Sequence, residues 1–163
     1  MKRLLIVYHS QTGHTRQLAE VAARGAGHES GVDVRLVRAF DAGIDDLLAC
    51  DALLIGTPEN LGYMCGAVKD FFDRTYYAAL DRINGRPYAA MICAGSDGQN
   101  AARQVERIAL GWRLQPIAPP LIVITHAQAP EAILAQKTIC AADLDRCTEL
   151  GLTLASGLAL GVF

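Results

Sequence analysis

Three hydroxyl side chains and a glycine fall within six residues, Ser10-Gln11-Thr12-Gly13-His14-Thr15, between an apolar run and a stretch of helical period. That combination suits an anion. The hydroxyls of Ser10, Thr12 and Thr15 can donate, and Gly13 lets the main chain turn close to a ligand where a side chain would block it. The first turn of a following helix adds amide groups with no intrahelical acceptor, at the positive end of the helix dipole. Together these form a cradle for a phosphate without a lysine. The two common nucleotide loops, GxxxxGK[ST] and GxGxxG, are both absent. The same hydroxyls would also serve an ordinary capped helix start.

Other reactive side chains point to less. Cys50, Cys65, Cys93, Cys140 and Cys147 are odd in number, show no CxxC and no ligand spacing with histidine, and sit in apolar segments. They read as reduced, structural thiols rather than disulfides or zinc ligands. His9 precedes the hydroxyl loop and His14 lies within it, placed to assist an anion there, while His28 and His126 lie elsewhere. No Ser–His–Asp or Cys–His arrangement is anchored by a motif, which disfavours hydrolysis. Asp45–Asp46 and Asp143–Asp145 read as helix caps or solvated faces, so no metal site is expected. No side chain is assigned a catalytic acid or base role.

The elements that must hold the loop are visible in the apolar pattern. Arg3–Tyr8, Asp51–Gly56 and Tyr88–Ala94 are nearly continuous apolar runs, the mark of strands covered on both faces. Val32–Arg38 alternates, with Asp33 and Arg35 between apolar neighbours, as an edge strand does. Pro120–Thr125 is a fifth strand, its prolines suited to a strand start. Helical faces appear at Leu18, Val21, Ala22 and Gly25; at Val68, Phe71, Phe72, Thr75 and Tyr76; and from Ala101 to Trp112. A short helix fits Ile44–Cys50, and a last one carries Leu144, Cys147, Gly151, Leu154 and Leu158. Gly157 and Gly161, a GxxxG, predict close packing on a sheet. His126–Ala141 reads as a loop with a helical turn.

This alternation predicts one α/β domain over residues 1–163: a three-layer sandwich around a five-stranded parallel sheet of order 2-1-3-4-5. Ligands bind such sheets at the carboxyl ends of the strands, at the switch point between strands 1 and 3. At 52% hydrophobic and 20% charged, the 163 residues are ample for a buried core and exclude disorder. The net charge of −2, with scattered basic residues, gives no footprint for nucleic acid. "MKRLLIVYHS" reads as a first strand rather than a signal peptide, and Leu150–Phe163 is too short to span a bilayer. A cytoplasmic protein with no membrane insertion is expected.

"SQTGHT" after a first strand resembles the phosphate loop of the flavodoxin family, [ST]xTGxT. "GTPENLGYMCGAVKDFFDRT", Gly56–Thr75, resembles the segment after strand 3 in flavodoxin-like NAD(P)H-dependent oxidoreductases, including the WrbA type. The resemblance implies FMN, with its phosphate on Ser10, Gln11, Thr12, Gly13, His14 and Thr15. It implies that Pro58, Glu59, Asn60, Leu61, Gly62 and Tyr63 border the flavin ring, and that Ala94, Gly95 and Ser96 after strand 4 contact its pyrimidine side. Asp97 reads as the cap of the helix that follows. The implied activity passes reducing equivalents from NAD(P)H through FMN to a small acceptor, such as a quinone or another flavin. A homodimer or homotetramer is compatible with it. Two departures matter. The second loop offers only Tyr63 as an aromatic and the third offers none, whereas electron-carrying flavodoxins stack the ring between aromatics. The third loop also lacks the glycine- and histidine-containing insert of WrbA-type quinone reductases. The alternative reading is a single-electron carrier between protein partners, with no nicotinamide site.

Overall fold

The computed structural model describes residues 1–163. Its elements run β1 (Lys2–Tyr8), α1 (His14–Ala26), β2 (Val32–Arg38), α2 (Ile44–Ala49), β3 (Ala52–Asn60), β4 (Tyr63–Met64), α3 (Gly66–Ala79), β5 (Pro87–Ala94), α4 (Gln99–Gly111), β6 (Gln115–Pro116), β7 (Leu121–Ile124), α5 (Pro130–Leu134) and α6 (Ala141–Leu160).

The continuous apolar runs are strands because each has a core on either side. Along β1, Leu5 and Val7 enter one core with Phe71, Phe72 and Val105 of α3 and α4. Leu4 and Ile6 enter the other with Leu18 of α1 and Leu150 and Leu154 of α6. A period of two thus sends alternate residues into two separate hydrophobic layers. β5 is buried along its whole length, and β2 alternates as an edge strand, pairing only with β1.

Seven strands form the sheet, in the order β2-β1-β3-β5-β6, with β4 added to β3 and β7 to β5. This corrects the expected five strands in the order 2-1-3-4-5, for two physical reasons. The run expected as Pro120–Thr125 is one of two short pieces sharing the far edge of β5. β6 pairs with Pro87–Tyr88 and β7 with Met91–Ala94. Pro116, Pro119 and Pro120 have no amide proton to carry a continuous ladder between them. The other addition is a hairpin: β3 runs on past Gly56 to Asn60 and returns antiparallel as β4, pairing Asn60 with Tyr63. Leu61 (φ +53°) and Gly62 (φ +69°) make the turn, with positive φ at both central positions as a tight hairpin of this kind demands.

The last helix corrects a second expectation. Gly161, at φ +65°, ends α6, and a Cβ on Gly157 would meet the Phe163 ring at 1.9 Å, so the GxxxG serves the helix end rather than the sheet. Close approach occurs instead where α1 crosses α6. A Cβ on Gly25 would lie 2.1 Å from the Thr148 carbonyl oxygen, and one on Gly151 2.0 Å from that of Ala22. No helix is long and apolar enough to cross a membrane.

Candidate functional site

The carboxyl ends of β1, β3 and β5 open on a cavity of about 290 Å³, at the lower edge of the range usual for small-molecule sites. One wall is the loop after β1. Gly13, at φ +94°, is the residue from which α1 starts, and no side chain caps that end. Ser10 Oγ accepts the Gly13 amide at 3.0 Å, which closes the turn and leaves the hydroxyl proton of Ser10 free to donate. Thr12 Oγ1 lies 2.8 Å from Nδ1 of His14. When Thr12 donates to Nδ1, the proton of the neutral imidazole stands on Nε2.

Three polar atoms here are buried without a partner: Nδ1 of His9, Nε2 of His14 and Oγ1 of Thr15. Such atoms are uncommon and costly in folded proteins. His14 and Thr15 both line the cavity, so a ligand bearing oxygens there would complete what folding leaves unsatisfied. Burial first, then the charge of Lys137, lowers the pKa of His14 below its ordinary 6.5. Burial first, then Arg38, does the same for His9. Both imidazoles therefore favour the neutral form. The unpartnered atoms of His14 and Thr15, with the unpaired amides of the first turn of α1, fit a phosphate group, while His9 lies outside the lining of the cavity.

The second wall is the end of β3. Pro58, Glu59 and Asn60 line the cavity as strand residues rather than loop residues. The Glu59 carboxylate accepts the amides of Gly98 at 2.9 Å and Ala101 at 3.3 Å, so it caps α4 across the site. Asp97, expected as that cap, is exposed, and Gly98 begins the helix with no side-chain cap of its own. Thr57 Oγ1 accepts the Cys65 amide at 3.0 Å and fixes the return of the hairpin. The third wall is Cys93, Ala94 and Gly95. A Cβ on Gly95 would lie 2.7 Å from the Ala127 carbonyl oxygen, so glycine lets that segment close against β5.

Ten of the fifteen residues expected to hold the ligand thus line one cavity: Ser10, Gln11, Thr12, His14, Thr15, Pro58, Glu59, Asn60, Ala94 and Gly95. Gly13 shapes its wall from behind. Four stand elsewhere. Leu61 is fully exposed at the hairpin tip. Gly62 accepts a hydrogen bond from Asn100 through its carbonyl. Tyr63 turns to α4 and donates to Gln104 Oε1 at 3.3 Å. Ser96 is exposed beyond the rim. The turn geometry at Leu61–Gly62 carries the side chains of Leu61 and Tyr63 away from the cavity.

Six lining residues had no local signal in the sequence. Cys93 reads in the sequence as strand and structural thiol; Thr125, Ala127, Ile133, Leu134 and Lys137 come from the end of β7 and the irregular segment after it. That segment is held down by Gln17, whose side-chain amide donates to the carbonyls of Lys137 (3.1 Å) and Gly13 (3.3 Å). The thiols of β5 and of α6 beneath it are inert by environment: burial pushes Cys93 up to about 11 and Cys147 up to about 12.

A doubly covered, largely parallel sheet with this cavity at its switch point defines a flavodoxin-like protein. Residues 38–129, over half of the chain, match the family model for NADPH-dependent FMN reductases, and the chain belongs to that flavodoxin-like, FMN-binding family. Among relatives, it is 34% identical to a flavodoxin of Aquifex aeolicus, over 60% of this chain and 53% of that one. It is 39% identical to an NAD(P)H dehydrogenase (quinone) of Acidithiobacillus ferrooxidans, over 46% of this chain and 48% of the other. The chain thus spans about half the length of the curated relatives it matches. Among solved structures, a flavodoxin from the domain Archaea superposes with a TM-score of 0.79 at 23% identity, covering 96% of this chain and 98% of that one.

Proposed function

We propose that this chain binds FMN in the cavity between β1, β3 and β5 and passes reducing equivalents from NAD(P)H to a small acceptor, a quinone or another flavin. The observation that carries the reading is the set of buried, unpartnered donors at His14 and Thr15, facing the ends of β3 and β5 in one cavity. Bound there, FMN would supply the redox chemistry, two-electron exchange with a nicotinamide and one- or two-electron exchange with an acceptor. The protein's part is to bind and orient. Ser10 and Thr15 hold the phosphate by donation from their hydroxyls, His14 from Nε2–H and α1 from its first amides, while Thr12, donating to Nδ1, keeps the His14 proton on Nε2. Pro58, Glu59 and Asn60 present main-chain groups at the ring edge, and Ala94 and Gly95 close the opposite edge with little side-chain bulk. Glu59 acts through α4, whose first turn its carboxylate fixes.

On this reading the 163 residues work as one domain in the cytoplasm, without nucleic acid or membrane insertion, as a homodimer or homotetramer. A single-electron carrier is the second reading, favoured by the 34% identity to a flavodoxin. The two separate in one experiment. Purified protein loaded with FMN is mixed with NADPH, then NADH, in the absence of oxygen. Rapid loss of the yellow absorbance is expected. Bleaching only by a chemical reductant would leave the carrier, and a chain that takes up no FMN would end both readings.

A further inference from the structure

The loop at residues 10–15 contains no cation, but the fold brings one to it. Lys137, from the segment joining α5 to α6, lines the same cavity as Ser10, Thr12, His14 and Thr15. Its position is fixed at both ends. The main chain at 137 accepts from Gln17, which also holds Gly13. The ammonium donates to the carbonyls of Ile133 (2.7 Å) and Ala135 (3.1 Å), leaving one of its three protons uncommitted. No carboxylate neutralises it, for none of the eight ion pairs includes Lys137. The only carboxylate lining the cavity, Glu59, spends both oxygens on α4. The charge also reaches the phosphate loop, as its effect on His14 shows.

We propose that Lys137 selects ligands by phosphate charge: its ammonium completes the cradle of residues 10–15 and makes the site prefer a terminal, doubly charged phosphate monoester to the same ligand without one. The inference rests on the FMN reading and adds a specificity determinant to it. An uncompensated ammonium beside hydroxyl and amide donors gains a charge-assisted hydrogen bond only when the ligand carries the anion.

Riboflavin differs from FMN by that phosphate alone, so quenching of flavin fluorescence in the apoprotein reads the effect directly. Wild type should bind FMN well ahead of riboflavin. Lys137→Met should weaken FMN about tenfold, leave riboflavin unchanged and flatten the salt dependence of FMN binding, while Lys137→Arg restores most of the preference. Equal losses for both flavins would reduce Lys137 to a clamp on the carbonyls of Ile133 and Ala135 and overturn the proposal, as would an unchanged FMN affinity. A flavin-free measurement separates this from failure of the FMN reading. Inorganic phosphate should raise the melting temperature of wild type but not of Lys137→Met; equal effects on both would sink the selector whatever the flavin does.

Discussion

Thr15 and His14 hold polar atoms that folding removes from water without giving them partners. For Thr15, which is 1% exposed, the cost of that hydroxyl is on the order of 1–3 kcal/mol. Thr15→Val keeps the shape and removes the orphan. In urea unfolding the free protein should therefore gain about 1 kcal/mol, while its affinity for FMN drops about tenfold. A variant weakened in both measurements would mean that Thr15 Oγ1 is already satisfied in the free chain. His9 and His14 give a pH signature of known sign. Both are held below the ordinary 6.5, so the unfolded chain binds protons more readily than the folded one. Stability of the free protein should thus be full above about pH 6.5 and decline as the pH falls through the lower folded values. Urea midpoints across that range should slope upward with pH, and His14→Gln should flatten part of the slope.

At the scale of elements, the hairpin β3–β4 and helix α4 act as one unit, joined by Glu59, Asn100 and the Tyr63–Gln104 pair. Glu59→Ala removes the cap from α4 and should cost about 1 kcal/mol in chemical denaturation, with a parallel loss of FMN affinity. Loss of flavin binding with no loss of stability would instead place Glu59 in direct contact with the ligand. Asp97 stood next to the helix start, so sequence reasoning assigned it the cap. The carboxylate that does the work comes from 39 residues earlier, a distance no local pattern spans. The hydroxyl loop was legible for the converse reason: Ser10–Thr15 are contiguous, and their chemistry needs only the turn that Gly13 allows. β1, β3 and β5 were legible because burial on both faces writes itself as unbroken apolar runs. The split of the far edge into β6 and β7 was not, since the prolines mark an interruption without saying which partner residues lie on either side. Lys137 has no signal in the sequence because its segment has no periodicity, and the hydrogen bond from Gln17 that ties it to the loop spans 120 residues.

Across the whole molecule, the site depends on a helix crossing at the far end of α1, at Gly25 rather than at the cavity-lining His14 and Thr15. α1 carries the hydroxyl loop at its start and rests on α6 at Gly25 and Gly151, where main chain meets main chain. Gly151→Ala places a methyl group 2.0 Å from the Ala22 carbonyl oxygen, so the helices must part. A loss of about 1–3 kcal/mol in stability is expected, read by thermal melting, together with weaker FMN binding as α1 shifts. Unchanged melting would show that the crossing is loose. The unpartnered atoms at the other end of α1 matter to the lifetime of the protein in a cell. A ligand that satisfies them and is held at a hundredfold excess over its dissociation constant adds about 2.7 kcal/mol to the folded state. Newly made or depleted chains lack that margin, open more often and meet proteases sooner. The amount of this protein should therefore follow the supply of its flavin, with empty copies cleared first.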